Sequence, residues 1–261
     1  MPIIPSITTT RLTQADFKPV ASEVMGHVFD IHNDFGRLFD EQVYKRELAN
    51  RMEGVLLETS VDVIHKTFAK RYFADVIAGA GGLFEFKAAE AIHPRHISQT
   101  IHYLLLFDLA HSKVINVRPE KVQHEFVNCH HRLSDMRSPV VHDDNWSPET
   151  PGAARFRDTL MSLVHDWGTG LEISLYEEGL IHFFGGELAV DASVPVLGSS
   201  GQIAVQRMRL VAPNVAFKLT AISDRRDAFI THARRLIQHT TITAIHWANI
   251  TTNHVTFTTI R

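Results

Sequence analysis

Cys129 is the chain's one cysteine, so no internal disulfide can staple the fold, and the sequence reads as a protein of a reducing interior. No apolar run approaches the length of a bilayer span. The opening Met1-Pro-Ile-Ile-Pro-Ser-Ile-Thr-Thr-Thr-Arg11 lacks the basic stretch and apolar core of a secretory leader. A cytoplasmic protein with no membrane segment is expected. Positive charge is also in short supply: 26 Lys and Arg face 29 Asp and Glu, for a formal net charge of −3 with His neutral. Proteins that coat nucleic acid draw affinity from phosphate neutralisation and are usually strongly basic, so that class is disfavoured. An enzyme that brings its positive charge in as metal ions is not.

What is present is enough apolar residue, 44% of 261, to bury one substantial core or two smaller ones. Residues 1–20 are mixed and Thr-rich and read as a lead-in. From Ser22, a plausible N-cap, Val24, Val28, Ile31 and Phe35 recur at helical spacing up to Gly36. A second helix is expected from about Leu38 to Met52, then a strand over Val55–Ile64. A third helix over about Arg95–Ala110 and a buried strand at Lys113–Val117 complete a mixed α/β pattern. The 17 His are scattered and foretell charge gain between about pH 7 and 6. Cys129-His130-His131 and His142-Asp143-Asp144 contain enough ligands for zinc, but their spacing matches no finger or ribbon, so they read as solvated residues.

Chemistry concentrates at Asp75-Val-Ile-Ala-Gly-Ala-Gly-Gly-Leu-Phe-Glu85-Phe-Lys87. Apolar runs flank a Gly79-Ala-Gly81-Gly82 turn, which predicts a β-hairpin with one strand opening at Asp75 and the other carrying Glu85 and Lys87. Residues two apart on a strand share a face, so Glu85 and Lys87 project together. Two carboxylates suit a hard oxygen-seeking ion such as Mg²⁺ or Mn²⁺, and the lysine can sit beside an attacking water or developing negative charge.

Met25-Gly-His-Val-Phe-Asp-Ile-His32, Phe35-Gly36 and Glu41-Gln-Val-Tyr44 open a longer pattern. It continues through Asp75, Glu85-Phe-Lys87-Ala-Ala-Glu-Ala-Ile92, His96-Ile-Ser-Gln99-Thr-Ile-His-Tyr103 and Val114-Ile-Asn116. Over about residues 22–128 this resembles the GxxExxY family of the PD-(D/E)XK nuclease superfamily. The resemblance implies a metal-dependent phosphodiesterase acting on nucleic acid, DNA or RNA. Asp75, Glu85 and Glu41 would be its metal-binding acids and Lys87 its catalytic lysine. Gln99 and Tyr103, with Tyr44, would support substrate or site. The family glycine three residues before the glutamate is Leu38 here, which puts the turn before the helix in doubt.

The Pro-rich stretch Pro139–Pro151 reads as part of a linker, 131–154, between a domain at 21–130 and another at 155–261. Beyond it the pattern returns in weakened form: Trp167-Gly168 and Tyr176 echo Phe35-Gly36 and Tyr44, and Val215-Ala-Phe-Lys218 echoes Phe84-Glu-Phe-Lys87. On that alignment Glu41 is replaced by Ile173, Glu85 by Ala216 and Asp75 by Gln206 or Arg207, leaving Lys218 without its acids. The fold expected is therefore α/β, two tandem PD-(D/E)XK (restriction-endonuclease-like) domains, each a mixed central sheet flanked by helices, the second degenerate. A homodimer would be one way to present two active centres. The rival reading is a noncatalytic module that binds nucleic acid or protein and keeps only the nuclease fold.

Overall fold

The computed structural model describes residues 2–261, and they fall into two compact units that divide between Leu133 and Ser134. In the first unit β1 (Ile3–Pro5) precedes helices α1 (Gln14–Phe35) and α2 (Glu41–Arg51). Strands β2 (Leu56–His65), β3 (Phe68–Ala78) and β4 (Gly82–Lys87) follow, then α3 (Pro94–Leu106), β5 (His111–Asn116) and β6 (Gln123–Asn128). The six strands lie in sequence order in one mixed sheet. β4 and β5 are its parallel pair, and α3 makes the crossover that parallel neighbours require.

Helix α1 begins earlier than its apolar spacing from Val24 suggests. Thr13 is the N-cap, its hydroxyl accepting the Asp16 N–H at 3.2 Å, and Phe17 and Ala21 extend the buried stripe one turn toward the N-terminus. Pro19 sits inside this helix without ending it. The lead-in is also tied down: β1 pairs with β2, and Thr10 N–H donates to Ala80 O at 2.9 Å in the β3–β4 turn. A Cβ on Gly81 would stand 1.9 Å from Thr10 O, so only glycine allows this approach. α1 and α2 cover one face of the sheet, burying Val24, Val28, Ile31, Tyr44 and Leu48 against Val76, Phe84, Phe86 and Ile115.

The second unit runs β7 (Val140–His142), α4 (Ala153–Trp167), α5 (Ile173–Phe183), the one-turn α6 (Glu187–Val190), β8 (Asp191–Gly198), β9 (Gly201–Ala212), β10 (Val215–Thr220), α7 (Arg226–Gln238), β11 (Ala244–Thr251) and β12 (His254–Ile260). Its sheet order is β7-β12-β11-β10-β9-β8, with β10 and β11 parallel and α7 between them. Two helices, three antiparallel strands, a helix and two more strands therefore recur in the same spatial order in both units. The extra strand differs: β1 pairs antiparallel with β2 at one edge, whereas β7 pairs parallel with β12 at the other. β7 lies within the stretch read from sequence as an aperiodic linker; Val140 N–H donates to Asn253 O at 2.9 Å beside it. Two mixed sheets flanked by helices match the fold class expected.

Candidate active site

Asp75 is the eighth residue of β3, deeper in its strand than the hairpin reading placed it. β3 and β4 pair antiparallel as far as Val76 and Phe84, and Asp75 and Glu85 are the next residues on their two strands, both within reach of Lys87. Asp75 Oδ2 accepts the Phe86 N–H at 2.9 Å. Lys87, at the end of β4, donates to Glu85 Oε1 at 2.8 Å and lies 3.9 Å from Asp75 Oδ2. The three sequence-selected residues thus form one cluster.

Two further charged groups complete it, neither selected from sequence. Lys45, one residue after Tyr44 on α2, is 1% exposed and donates to Asp75 Oδ1 at 2.7 Å and to Glu58 Oε1 at 2.6 Å. Glu58 reaches it from a left-handed backbone, φ 48°, at a break in β2–β3 pairing between Leu57 and Thr59. A non-glycine residue held there is strained by roughly 1–3 kcal/mol, of the kind that persists where surroundings fix it. A lysine about one turn from a helix start ordinarily reads as solvated surface, and only the opposing strand reveals its role.

The electrostatics follow from burial. The Glu85 carboxyl is held well above the usual carboxylate range by burial and then by the charge of Asp75, with Lys87 opposing. Its Oε2 is buried without a hydrogen-bond partner. Glu41, at the first turn of α2, is half-buried and raised for the same two reasons, which places it within the field of Asp75. Burial would lower the Lys45 ammonium, but hydrogen bonds to Asp75 and Glu58 outweigh it and raise it. His96 is pushed down by burial and then by Lys87, so it too borders the cluster from α3.

The supporting residues fare differently. Tyr44 is fully buried and its hydroxyl donates to the carbonyl of Gly36, the C-cap of α1, so it holds the α1–α2 corner. Tyr103 is buried on α3 edge-on to Tyr72, ring centroids 6.5 Å apart, while Gln99 is half-buried one turn earlier.

The acids fit a hard divalent ion by their chemistry: oxygen donors, one with an orphaned buried atom. Yet among the described residues no group of three His, Cys, Asp or Glu stands ready to hold a metal. Lys45 already donates to Asp75 Oδ1, on one of the two acids such an ion would use.

The second unit repeats the scaffold with other chemistry. Tyr176 donates to the carbonyl of Gly168 at 2.5 Å, as Tyr44 does to Gly36, and Gly168 likewise caps its helix. Asn116 clasps Ala89 through N–H and carbonyl, and Asn249 clasps Ile222 in the same way, each pair 27 residues apart. Lys87 is the register partner of Asn116, and Thr220 that of Asn249. Matched on the asparagines, Thr220 rather than Lys218 stands at the Lys87 place, and Lys218 stands at the Glu85 place. The sequence alignment was two residues out because Phe-Lys stands in both strands and a two-residue shift keeps each side chain on its own strand face. Glu177, following Tyr176 as Lys45 follows Tyr44, pairs with Arg209 at 2.8 Å and Lys218 at 3.6 Å. The signs of charge are reversed.

Residues 18–128 match the family model of the PD-(D/E)XK nuclease superfamily. No curated protein and no solved structure matches the chain. Among the described residues no helix is long and apolar enough to cross a membrane.

Proposed function

We propose that the first unit is a metal-dependent nuclease cutting nucleic acid at Asp75, Glu85 and Lys87. The observation that carries this is the convergence of two carboxylates and a lysine in the segment matching the nuclease superfamily, with Glu85 Oε2 buried and unpartnered. Asp75 and Glu85, with Glu41 nearby, would hold Mg²⁺ or Mn²⁺. When bound, such an ion supplies Lewis-acid stabilisation of phosphate oxygens and lowers the pKa of water. Lys87 lies beside both acids, where it orients the attacking water and stabilises charge gathering on the phosphate. Phe86 N–H fixes the Asp75 carboxylate so that it need not reorganise during reaction. Tyr44 and Tyr103 act at one remove, by holding α2 and α3 in place.

The second unit is, on this reading, a degenerate copy: shared strand order, the tyrosine–glycine bond and the asparagine clasp support descent from one domain, while its acids are gone. A second reading has one specific observation in its favour. Lys45 neutralises Asp75 from within, as expected of a fold kept for binding after catalysis has lapsed. The test is incubation of the protein and its Lys87→Ala variant with single- and double-stranded DNA and RNA in Mn²⁺. Cleavage lost in the variant supports the nuclease; no cleavage together with no Mn²⁺ binding supports the noncatalytic module.

A further inference from the structure

A cavity of about 640 Å³ opens in the second unit, among α5, α7 and strands β9–β11. It falls in the size range of small-ligand sites, which are usually mostly apolar with a few convergent polar groups. Phe229 and Leu236 of α7 and Ile245 of β11 give it an apolar wall. Arg207, Arg209 and Lys218 bring cations to its lining, against Glu177 and Asp191. These five sum to +1, and the cations are under-committed. The single Glu177 carboxylate serves both Arg209 and Lys218, and among the described residues Arg207 has no ion pair. Lys218 is 55% exposed and Glu177 18%, so the ammonium is presented outward while its counter-charge lies behind it.

We infer that this cavity binds one nucleotide unit, its phosphate on Arg207, Arg209 and Lys218 and its base against Phe229 and Leu236. Choosing a nucleotide as the anion rests on the nuclease reading of the first unit; the cationic, apolar-backed cavity does not. Arginine suits the phosphate because its planar donor fork matches phosphate oxygens. Base stacking on an aromatic side chain adds affinity without sequence preference. The lost acids follow from the same requirement, since a carboxylate at the Lys218 place would repel phosphate. The second unit would then hold nucleic acid without cutting it.

The experiment is fluorescence anisotropy of a fluorescein-labelled eight-residue oligo(dT) in EDTA, where metal-dependent cleavage is silent. Lys218→Glu and Arg207→Glu should each weaken binding by about tenfold or more, roughly the value of one charge-assisted contact. AMP should displace the probe at least about tenfold more effectively than inorganic phosphate, since a base stacked on an aromatic side chain adds affinity that phosphate lacks. Circular-dichroism melting of each variant verifies the fold; both positions are exposed to solvent, and the cheaper Lys218→Gln tests the same contact without adding charge. Unchanged binding in folded variants, or no binding of oligonucleotide by the native chain, overturns the inference. AMP no better than phosphate overturns the base-binding wall. The nuclease reading fails separately, by absence of Mn²⁺-dependent cleavage, whatever the anisotropy gives.

Discussion

Lys45 Nζ lies 2.7 Å from Asp75 Oδ1, and their side chains are 2% and 12% exposed, so an ammonium from α2 is buried against the acid that a metal would need. The charge of Asp75 helps hold the Glu85 carboxyl above its usual range against Lys87, while Lys45 pairs with Asp75 from the α2 side. The tethered cation stabilises Asp75 and would compete with any metal ion bound there.

The first prediction concerns that competition. Lys45→Met should lower stability in EDTA by about 3–5 kcal/mol, the cost of leaving one member of a buried pair alone. Added Mn²⁺ should restore more of the melting temperature in the variant than it adds to the native protein, because the ion then takes the vacated carboxylate. A metal at a hundredfold its Kd contributes about 2.7 kcal/mol. Calorimetric titration should give tighter Mn²⁺ binding for Lys45→Met. Equal binding in the two proteins would show that Lys45 does not contend for the site.

A second prediction separates holding the ion from using it. Glu85→Ala should abolish both Mn²⁺ binding and cleavage. Lys87→Ala should leave Mn²⁺ binding within a few-fold and reduce kcat by about 10²–10³, the usual cost of losing one group that stabilises transition-state charge. Paired titration and single-turnover assays decide it; loss of Mn²⁺ binding in Lys87→Ala would make the lysine structural.

Much of this site was legible because strand periodicity is local. Glu85 and Lys87 share a face two residues apart, and a glycine-rich turn announces the hairpin. What escaped was set by contacts across the chain. Lys45 looks like any surface helix lysine until β3 is laid beside α2, and Glu58 adopts a left-handed backbone that no composition signals. The start of α1 was missed because residues 1–20 read as a Thr-rich lead-in and Ser22 as the cap, whereas Thr13 caps a helix that runs on through Pro19. β1 and β7 were missed for another reason: three-residue strands carry almost no periodicity and exist only through the partner they pair with. The register of Lys218 was misplaced because a two-residue slip keeps every side chain on its own face; the Asn249 clasp resolves it.

The two tyrosine corners offer a third prediction. Tyr44 and Tyr176 each donate to the carbonyl of the glycine that caps the preceding helix. Tyr44→Phe and Tyr176→Phe should each cost about 1–2 kcal/mol, the loss of one buried hydrogen bond with its acceptor left unmatched. Denaturant unfolding measures it. A similar cost at both positions would fit one inherited corner, whereas a neutral substitution at either would mean that corner is held by packing alone.

The last prediction is a pH dependence. His102 lies on α3, buried and edge-on to Tyr72 at 4.7 Å between ring centroids. Burial, helped by Lys70, pushes its imidazole down to about 3 from an ordinary 6.5. The unfolded chain therefore takes up a proton near pH 6.5 that the folded chain refuses until about pH 3. Stability from this group is fully present above pH 6.5 and is lost as pH falls toward 3. Through that window the slope approaches about 1.4 kcal/mol per pH unit, one proton's worth. Urea unfolding of the native protein and of His102→Phe at several values between pH 7 and 4 tests it. The phenyl ring keeps most of the volume against Tyr72 and cannot be protonated, so the variant's stability should fall less steeply with acid, whatever its offset at pH 7. Parallel slopes in the two proteins would mean that His102 is protonated in the fold, and that acid sensitivity arises at the other buried histidines.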